Sequence, residues 1–418
     1  MTTTKADIKN LSCYLQQASS LFLFANLPFY FNNIQRWSII AFIFFSVIDI
    51  IVNQRWKNIN YRSPSAILCY LLIFQYLLIL LYIPFERTTT HIGMIIEYRL
   101  SLLLFGLVGL FYTKRSINIK YYAYVAIAVT SYIAIYVLCN VGLNNLQDFD
   151  TFKQLFTEYR HHHIQAHMAT NTFFRATMLL SAYMVKQMVR LWKKLLFTLP
   201  IILSYLLMIF SDGRIGLIGA NLIVLAIIIY FLREYKIALL SLLSLVIILS
   251  ITTITLHPKT SQTFDTNKNP RVWIWKIALE KIKAKPITGY GVNTAQEEMR
   301  SGMLSSDEFM SVNDEFLISF LRNPDELLGA HPHNQILQSI LEFGVIGIVV
   351  ISAILLLPIY ILKQKHNSLL PIIFWVIIIM QLFTETIHTS MGEVAFCLYL
   401  ILLIQLPEQV SPDDSAEQ

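Results

Sequence analysis

The sequence predicts an all-α, polytopic membrane protein with about twelve transmembrane helices and one large loop on the outer side. Two observations carry this prediction. Hydrophobic residues make up 56% of the 418 residues, charged residues make up 14%, and the mean hydropathy is +0.57. A soluble domain of this length could not bury so much apolar surface, so lipid must cover much of it. The apolar residues also fall into runs of about 20, the length that a helix needs to cross a bilayer.

The apolar runs define the predicted spans in chain order. They lie at about 19–33, 37–53, 65–85, 93–112, 121–140, 170–186, 194–210, 215–232, 237–256, 335–362, 368–386 and 390–406. The tenth run is long enough to tilt or to project from the membrane. Residues 1–17 are polar and no signal-peptide cleavage site follows the first run, so we expect the first span to be retained.

Basic residues distinguish the two ends of the predicted bundle. Lysines and arginines occupy alternate short connections, as at Arg55, Lys114, Lys193 and Lys363, and are few in the others. The positive-inside rule then predicts that both termini are cytoplasmic. This anchoring accounts for the net charge of +6, which argues against a nucleic-acid partner. The four cysteines lie in or beside apolar runs, so we expect no disulfide framework.

These patterns divide the chain into four segments. Residues 1–256 contain the first nine predicted spans, and 257–334 form the large outer loop. Residues 335–406 contain the last three spans, and the acidic segment 407–418 is a cytoplasmic tail. An outer loop of about 80 residues among tight connections is where function should concentrate.

A helix is predicted inside the large loop. The dipeptide Asn269-Pro270 supplies an N-cap and a first-turn proline, and Pro286 ends the helix. Arg271 falls in its first turn, where free backbone N–H groups and the helix dipole favour an anion. A Gly-Tyr-Gly turn around Tyr290 follows, where the backbone can approach a ligand. The alternative is an amphipathic helix on the membrane surface with a solvated arginine.

Charged residues also lie at membrane depth. Arg214 begins the eighth span after a very tight outer connection, where it either snorkels to lipid headgroups or binds an anion. Arg99 and Arg175 lie within spans, where charges are costly and are usually paired or face a cavity. Glu97 and Arg99 do not share a helix face, so we do not pair them. Glu342, inside the tenth span, is expected to be a buried hydrogen-bonding group rather than a proton carrier.

Histidines cluster in two places. The first is His161, His162, His163 and His167, in a smaller outer loop at about 140–169. The i, i+4 spacing of His163 and His167 would allow metal binding on a helix, but no carboxylate cluster accompanies them. We therefore expect structural or headgroup contact there, with substrate contact as the second possibility.

The second cluster is His331-Pro332-His333-Asn334, which opens the tenth span. Nine residues later comes Gly344-Val345-Ile346-Gly347, whose glycines most simply permit close helix packing. A polar helix cap is the alternative to a catalytic role for the histidines. The pattern H-N-x9-G-x-x-G, with the arginine beginning the eighth span and the Arg-Trp helix before Gly-x-Gly, resembles the O-antigen ligase/polymerase superfamily of integral membrane glycosyltransferases.

The resemblance implies a metal-independent, inverting glycosyltransferase without a cofactor, similar to other multi-span membrane glycosyltransferases of the C type. It implies a place in the bacterial inner membrane, with the large loop and the active site facing the periplasm. By the same resemblance, Arg214 and Arg271 bind the donor diphosphate and His333 is the general base. His331 is expected to support His333, and Asn334, Arg175 and Tyr290 are expected as further substrate contacts.

The donor implied by the resemblance is an undecaprenyl-diphosphate-linked glycan, and the preferred acceptor is lipid A–core. Two arginine forks would stabilise the leaving diphosphate in place of a metal ion. A polymerase that joins one lipid-linked repeat to another is the main alternative, followed by glycan transfer to protein hydroxyls. A membrane transporter is the alternative from another class, because many spans with intramembrane charges also occur in transporters.

Overall fold

A computed structural model describes residues 5–30, 32–87, 91–141, 164, 167–211, 214–256, 269–312, 318, 321–322, 330–365, 369–387 and 390–407. Within these ranges helices are joined by turns and short irregular segments, and the only β pairing is one isolated bridge between Phe29 and Ile164. The all-α prediction is therefore confirmed.

The helices are numbered here in chain order. They are α1 (Lys5–Asn26), α2 (Asn32–Val52), α3 (Pro64–Tyr82), α4 (Ile92–Phe111), α5 (Ile119–Val141), α6 (His167–Gln187), α7 (Leu191–Phe210), α8 (Arg214–Leu232), α9 (Lys236–Leu256), α10 (Pro270–Ala284), α11 (Val292–Ser305), α12 (Asp307–Val312), α13 (Gln335–Gln364), α14 (Leu369–Leu382) and α15 (Ser390–Ile404). Each predicted span overlaps one of the helices α1–α9 or α13–α15. Helices α10–α12 belong to the segment predicted to be the large outer loop, and the name outer loop is kept for that segment.

Several helices are long and apolar enough to cross a membrane. Among the described residues, 6 helices meet that requirement by length and composition: Asn33–Val52, Pro64–Phe85, Ile92–Phe111, Ile119–Val141, Leu191–Ile209 and Gln335–Gln364. Shorter apolar helices cover Gly216–Leu232, Leu369–Leu382 and Gly392–Ile404. Large apolar side chains such as Phe44 and Ile135 point outward from the bundle, 58% and 62% exposed. The chain is thus a multi-pass membrane protein, as predicted.

The first helix differs from its prediction at both ends. Helix α1 begins at Lys5, well before the apolar run, because a helix can extend beyond the part that lipid covers. Its polar residues pack against other helices: the hydroxyl of Ser20 lies 2.7 Å from the hydroxyl of Tyr122. The helix ends at Asn26 because Pro28 follows and cannot continue it.

Helix α13 is broken near its outer end. Gly344 has φ 57° and ψ −138°, which a side chain would strain, so α13 consists of the segments 335–343 and 345–364. A Cβ on Gly344 would lie 2.1 Å from the carbonyl oxygen of Ile287, and a Cβ on Gly347 would lie 1.9 Å from that of Ser339. Both glycines therefore permit close backbone approach, but to the outer loop and to the first segment of the same helix rather than to a neighbouring helix.

The outer loop supplies the hydrogen bonds that this break leaves unmade. The amides of Tyr290 and Gly291 donate to the carbonyls of Leu341 and Glu342, both at 2.9 Å. The amide of Val345 donates to the carbonyl of Ile287 at 3.2 Å. Because a broken helix exposes carbonyl and amide groups, these bonds fix the loop against the start of α13.

Candidate active site

Asn334 positions the turn at the start of α13. Its side-chain oxygen accepts from the amides of Ile336 and Leu337, both at 3.0 Å, as an N-cap does. Its side-chain nitrogen donates to the carbonyl of Phe383, also at 3.0 Å. The helix cap expected in this tetrad is therefore Asn334, so capping does not require His333.

His331 and His333 lie against each other, with ring centroids 4.1 Å apart. The backbone amide of His333 donates to Nδ1 of His331 at 3.2 Å. Burial, together with the neighbouring His333, lowers the pKa of His331 to about 3. His331 is therefore neutral at physiological pH and can accept that hydrogen bond. The supporting role expected for it stays a prediction.

Arg271 lies in the first turn of α10, where the sequence predicted it. The side chain of Asn269 caps this helix by accepting from the amide of Arg271 at 3.1 Å. The indole of Trp275, one turn further, donates to the carbonyl of Pro332 at 2.9 Å. This bond ties α10 to the turn that carries His333.

Glu385 joins Arg271 to His333. Its Oε1 accepts from Nη2 of Arg271 at 2.8 Å, and its Oε2 lies 3.4 Å from Nδ1 of His333. The side chains of Arg271 and His333 are 39% and 37% exposed, whereas that of Glu385 is 15% exposed. The two predicted site residues are thus brought together by a carboxylate, and both remain open to a ligand.

The sequence interpretation missed Glu385. The residue lies in the short outer connection between α14 and α15, within Thr384-Glu385-Thr386, and is far along the chain from its partners. An acidic residue at the outer end of two apolar helices was the available signal. Both sides of this connection are pinned to α13: Phe383 by Asn334, and the amide of Ile387 by the side chain of Gln335 at 3.0 Å.

Arg175 is buried in α6, 1% exposed. Its Nε donates to the carbonyl of Asn171 at 3.1 Å, and its Nη2 donates to the side chains of Thr172, at 2.8 Å, and Gln381. Its Nη1 has no hydrogen-bond partner among the residues that the structure describes and lies beside Gly219 of α8. Arg175 is therefore held by neutral groups, one of which lies at the end of α14, just before Glu385.

The other predicted site residues are placed as follows. Arg214 begins α8, as predicted, but its side chain lies outside what the structure describes. Tyr290 is buried, and its hydroxyl donates to the carbonyl of Lys281 at 3.1 Å, so it packs α10 against the loop. A role for either residue in substrate binding stays a prediction.

The intramembrane charges pair across helices. Nη1 and Nη2 of Arg99 donate to the two carboxylate oxygens of Glu342 at 2.8 and 2.5 Å. The side-chain amide of Gln338 also donates to Glu342, at 2.6 Å. These contacts confirm that Glu342 is a buried hydrogen-bonding group and that Glu97 is not the partner of Arg99.

Metal binding was the minor expectation for the histidine-rich run. His161, His162 and His163 lie outside the described residues, as does the side chain of His167, whose backbone begins α6. Elsewhere in the described ranges, no group of three or more histidine, cysteine or acidic side chains could hold a metal ion.

Comparison with known proteins bears on the central part of the chain. A family model described as O-antigen ligase matches residues 199–352. This segment contains Arg214, Arg271, Tyr290 and the His331–Asn334 turn, whereas Arg175 and Glu385 lie outside it.

Individual relatives match shorter stretches. A Rickettsia felis protein provisionally named a polysaccharide ligase is 35% identical over 97 residues, which are 23% of this chain and 20% of that protein. Similarly named proteins of Rickettsia conorii and Rickettsia typhi are 35% and 33% identical over 79 and 78 residues, 19% of this chain and 16% of each relative. The chain thus spans about a fifth or less of the length of the curated relatives it matches. These matches confirm the resemblance to the O-antigen ligase/polymerase superfamily.

Proposed function

We propose that this chain, which matches the O-antigen ligase family model over residues 199–352, transfers a glycan from undecaprenyl diphosphate to a hydroxyl of an acceptor, preferably lipid A–core. In this proposal it lies in the bacterial inner membrane with both termini cytoplasmic and the His333 site facing the periplasm. The observation that carries the proposal is that the carboxylate of Glu385 contacts both the guanidinium of Arg271 and the imidazole of His333. These two groups are therefore close enough to act on one ligand.

The donor diphosphate is expected to bind at Arg271. Cleavage of the sugar–phosphate bond leaves the bonding electrons, and so negative charge, on the diphosphate. The guanidinium of Arg271 can donate paired hydrogen bonds to the diphosphate oxygens. Because Arg271 lies in the first turn of a helix, free backbone N–H groups and the positive end of the helix dipole also favour this negative charge. The exposed fraction of Arg271 leaves it accessible to such a ligand. Arg214, at the start of α8, is the second proposed diphosphate contact.

His333 is proposed as the general base. We assign the Nδ1 proton to the hydrogen bond with Glu385, which leaves the lone pair of Nε2 to accept a proton. The acceptor hydroxyl gives its proton to Nε2 as its oxygen attacks the anomeric carbon. The bond from that carbon to the phosphate oxygen breaks on the opposite face, so the anomeric configuration inverts. No metal ion is required in this scheme.

Glu385 is proposed as a positioning residue that serves both partners. Without donor, its carboxylate is shared between Arg271 and His333. A diphosphate that engages Arg271 competes with Glu385 for the guanidinium. The carboxylate is then available to His333 alone and holds the imidazole in the orientation that a base requires. Donor binding would in this way complete the site.

The function is tested with purified protein in liposomes that contain an undecaprenyl-diphosphate-linked glycan and lipid A–core, with a chelator present. We expect the glycan to appear on the lipid A–core. Movement of the lipid-linked glycan across the bilayer without a new glycosidic bond would instead identify a transporter. Joining of one lipid-linked glycan to another, with lipid A–core left unmodified, would identify a polymerase.

Glu385→Gln tests the positioning role. It keeps the shape of the side chain but removes the charge, so we expect kcat to fall by about tenfold or more. Donor binding should be at least as tight as in the wild type, because Arg271 is no longer paired. The matched control is Glu280→Gln, on the exposed face of α10, which should leave both quantities unchanged. Weaker donor binding with unchanged kcat would contradict the proposed role.

A further inference from the structure

A second group of converging charges lies at the other end of the bundle. Helices α2 and α4 both end there, at Val52 and Phe111. Helix α3 begins at that end, and the hydroxyl of Tyr82 at its far end donates to the carbonyl of Thr288 in the outer loop at 2.7 Å. A helix of 20 residues, such as α4, is about 30 Å long. This group of charges therefore lies about one membrane thickness from the outer loop, at whose end His333 lies.

Asp49 organises this group, which we call the Asp49 cluster: Asp49, Arg55, Tyr112 and Arg115. The carboxylate of Asp49 is 0% exposed. One oxygen accepts from Asn53 at 2.7 Å, and the other accepts from the hydroxyl of Tyr112 at 2.6 Å and from Nε of Arg55. Neutral donors thus contribute much of the stabilisation of the carboxylate, so it does not depend on the arginines alone.

The cluster has more positive charge than Asp49 can neutralise. The guanidinium carbons of Arg55 and Arg115 lie 4.8 and 5.5 Å from the centre of the Tyr112 ring, which holds both groups in place. Nη1 of Arg115 is 4.0 Å from Asp49 and donates to Gln16 at 2.5 Å, and its Nη2 donates to the sulfur of Cys13 at 3.1 Å. Within the described part of the chain, the Nη atoms of Arg55 have no hydrogen-bond partner and exposed Lys114 has no partner at all.

These cations line one cavity. Its volume is about 440 Å³, and its walls are Arg55, Phe111, Lys114, Arg115 and Ser116. The residues around this space therefore carry three positive charges and a hydroxyl, and Phe111 gives it an apolar side. The Nη pair of Arg55 and the ammonium of Lys114 are the donors that no other described residue engages. Tetrahedral oxyanions match this set of donors, because guanidinium groups bind phosphate through paired N–H groups.

We propose that this cavity binds the phosphate group of an anionic phospholipid in the leaflet opposite the candidate active site, the cytoplasmic leaflet in the proposed orientation. The position favours a lipid over a soluble ion. Trp56 and Tyr61, 42% and 57% exposed, lie close along the chain to Arg55, and exposed aromatic residues of this kind are typical of the headgroup level. A free phosphate shares the same chemistry, so the experiment must separate the two sources.

The experiment measures lipid binding rather than activity, so its outcome is independent of the proposed function. Purified full-length protein in phosphatidylcholine nanodiscs is titrated with phosphatidylglycerol, and the melting temperature and the lipids retained in native mass spectrometry are recorded. We expect saturable stabilisation by phosphatidylglycerol. A lysine or arginine near an anionic membrane surface contributes enough for its loss to weaken binding about fivefold.

Lys114→Gln is the informative variant, because Lys114 has no partner in the described part of the chain whose loss would unfold the protein. We expect about fivefold weaker binding of phosphatidylglycerol. Lys120→Gln makes the same charge change at the start of α5, outside the cavity, and should bind as the wild type does. Arg55→Lys keeps the charge but loses the Nη pair, which has no partner in the described part of the chain, and should also bind more weakly.

Two outcomes decide whether the ligand is a lipid or a soluble phosphate, and whether binding depends on this cavity. If inorganic phosphate also stabilises the protein in phosphatidylcholine, and Lys114→Gln removes that effect, the site stands but its ligand is a soluble phosphate. If Lys114→Gln and Lys120→Gln weaken phosphatidylglycerol binding equally, only the general charge of this end attracts anionic lipid. That result would overturn the proposal.

Discussion

Two arginine–glutamate pairs at the outer end of the bundle differ chiefly in burial. The side chains of Arg99 and Glu342 are 3% and 1% exposed, and Glu342 also accepts from Gln338. The side chains of Arg271 and Glu385 are 39% and 15% exposed, and Glu385 is shared with His333. The buried Arg99–Glu342 pair is therefore closed to ligands and stabilises the helix packing. The Arg271–Glu385 pair is accessible, so a ligand could replace one of its partners.

The difference predicts opposite responses to substitution. Removing one partner of a buried pair leaves an uncompensated charge and costs about 3–5 kcal/mol. Removing one partner of a partly exposed pair such as Arg271–Glu385 costs less, because water can solvate the charge that remains; for a fully exposed pair the cost is about 0–1 kcal/mol. Changes at Arg99 and Glu342 should therefore reduce stability, and changes at Arg271, His333 and Glu385 should reduce activity while the protein remains folded.

His333→Ala is expected to have the largest effect. A general base contributes about 10²–10⁴-fold in rate, so transfer should fall by that factor. The variant should remain inserted and bind the lipid-diphosphate donor, because Asn334 and not His333 caps α13. Turnover is measured with purified protein and lipid-linked donor. Reduced protein levels with unchanged activity per folded molecule would mean that His333 is structural.

Glu342→Gln is the corresponding change in the buried pair. It removes the carboxylate charge that both Nη atoms of Arg99 contact directly, so the free energy of unfolding should fall by about 3–5 kcal/mol. Chemical denaturation in detergent micelles measures the difference, with Glu385→Gln as the control that should change it little. The double variant Arg99→Met, Glu342→Met should recover part of the loss. Equal destabilisation by both glutamine variants would remove the distinction between the two pairs.

Arg271→Lys tests whether the exposed pair binds a diphosphate. Lysine keeps the charge but loses the planar fork, and removing one donor to a developing oxyanion costs about 10²–10³ in kcat. Arg214→Lys should behave in the same direction. Arg87→Lys, a change at another exposed arginine of the outer end, should leave turnover unaltered. Near wild-type turnover in both Arg271→Lys and Arg214→Lys would mean that these arginines only anchor the fold.

The smallest expected effect concerns His331 and pH. Its folded-state pKa of about 3 lies below the unfolded value of about 6.5. Between these values the unfolded chain binds more protons, so the free energy of unfolding falls as the pH drops below about 6.5. The melting temperature of the wild type should decrease more from pH 7 to pH 5 than that of His331→Gln. Parallel curves would show that the burial of His331 does not matter for stability.

The fold was largely predictable because lipid imposes a simple length and polarity rule on each span. The rule failed at α1, because it locates the apolar part of a helix and not its ends. The cap at Asn269 and the first-turn Arg271 were predictable from local chemistry alone. The partner of Arg99 was not, since pairing across helices depends on packing that no spacing in the sequence encodes.

Glu385 shows the same limit within the candidate site. It reaches Arg271 and His333 only because Asn334 and Gln335 pin the α14–α15 connection to α13. No motif or periodicity marks that connection in the sequence. The break at Gly344 was likewise visible as a spacing of glycines, whereas its left-handed backbone and the approach of Ile287 required the structure.

The backbone of His333 has φ 46°, a left-handed conformation that disfavours most side chains. Such a conformation costs about 1–3 kcal/mol, and glycine or asparagine would adopt it with less strain. Replacement of this histidine by glycine would therefore be one of the stabilising substitutions that natural proteins commonly leave unused, and the recurrent cost of such substitutions is lost function. If His333 is the general base proposed above, a related chain with glycine at this position would fold at least as well but would lack the group that accepts the proton. The residue at this turn would then distinguish active from inactive relatives.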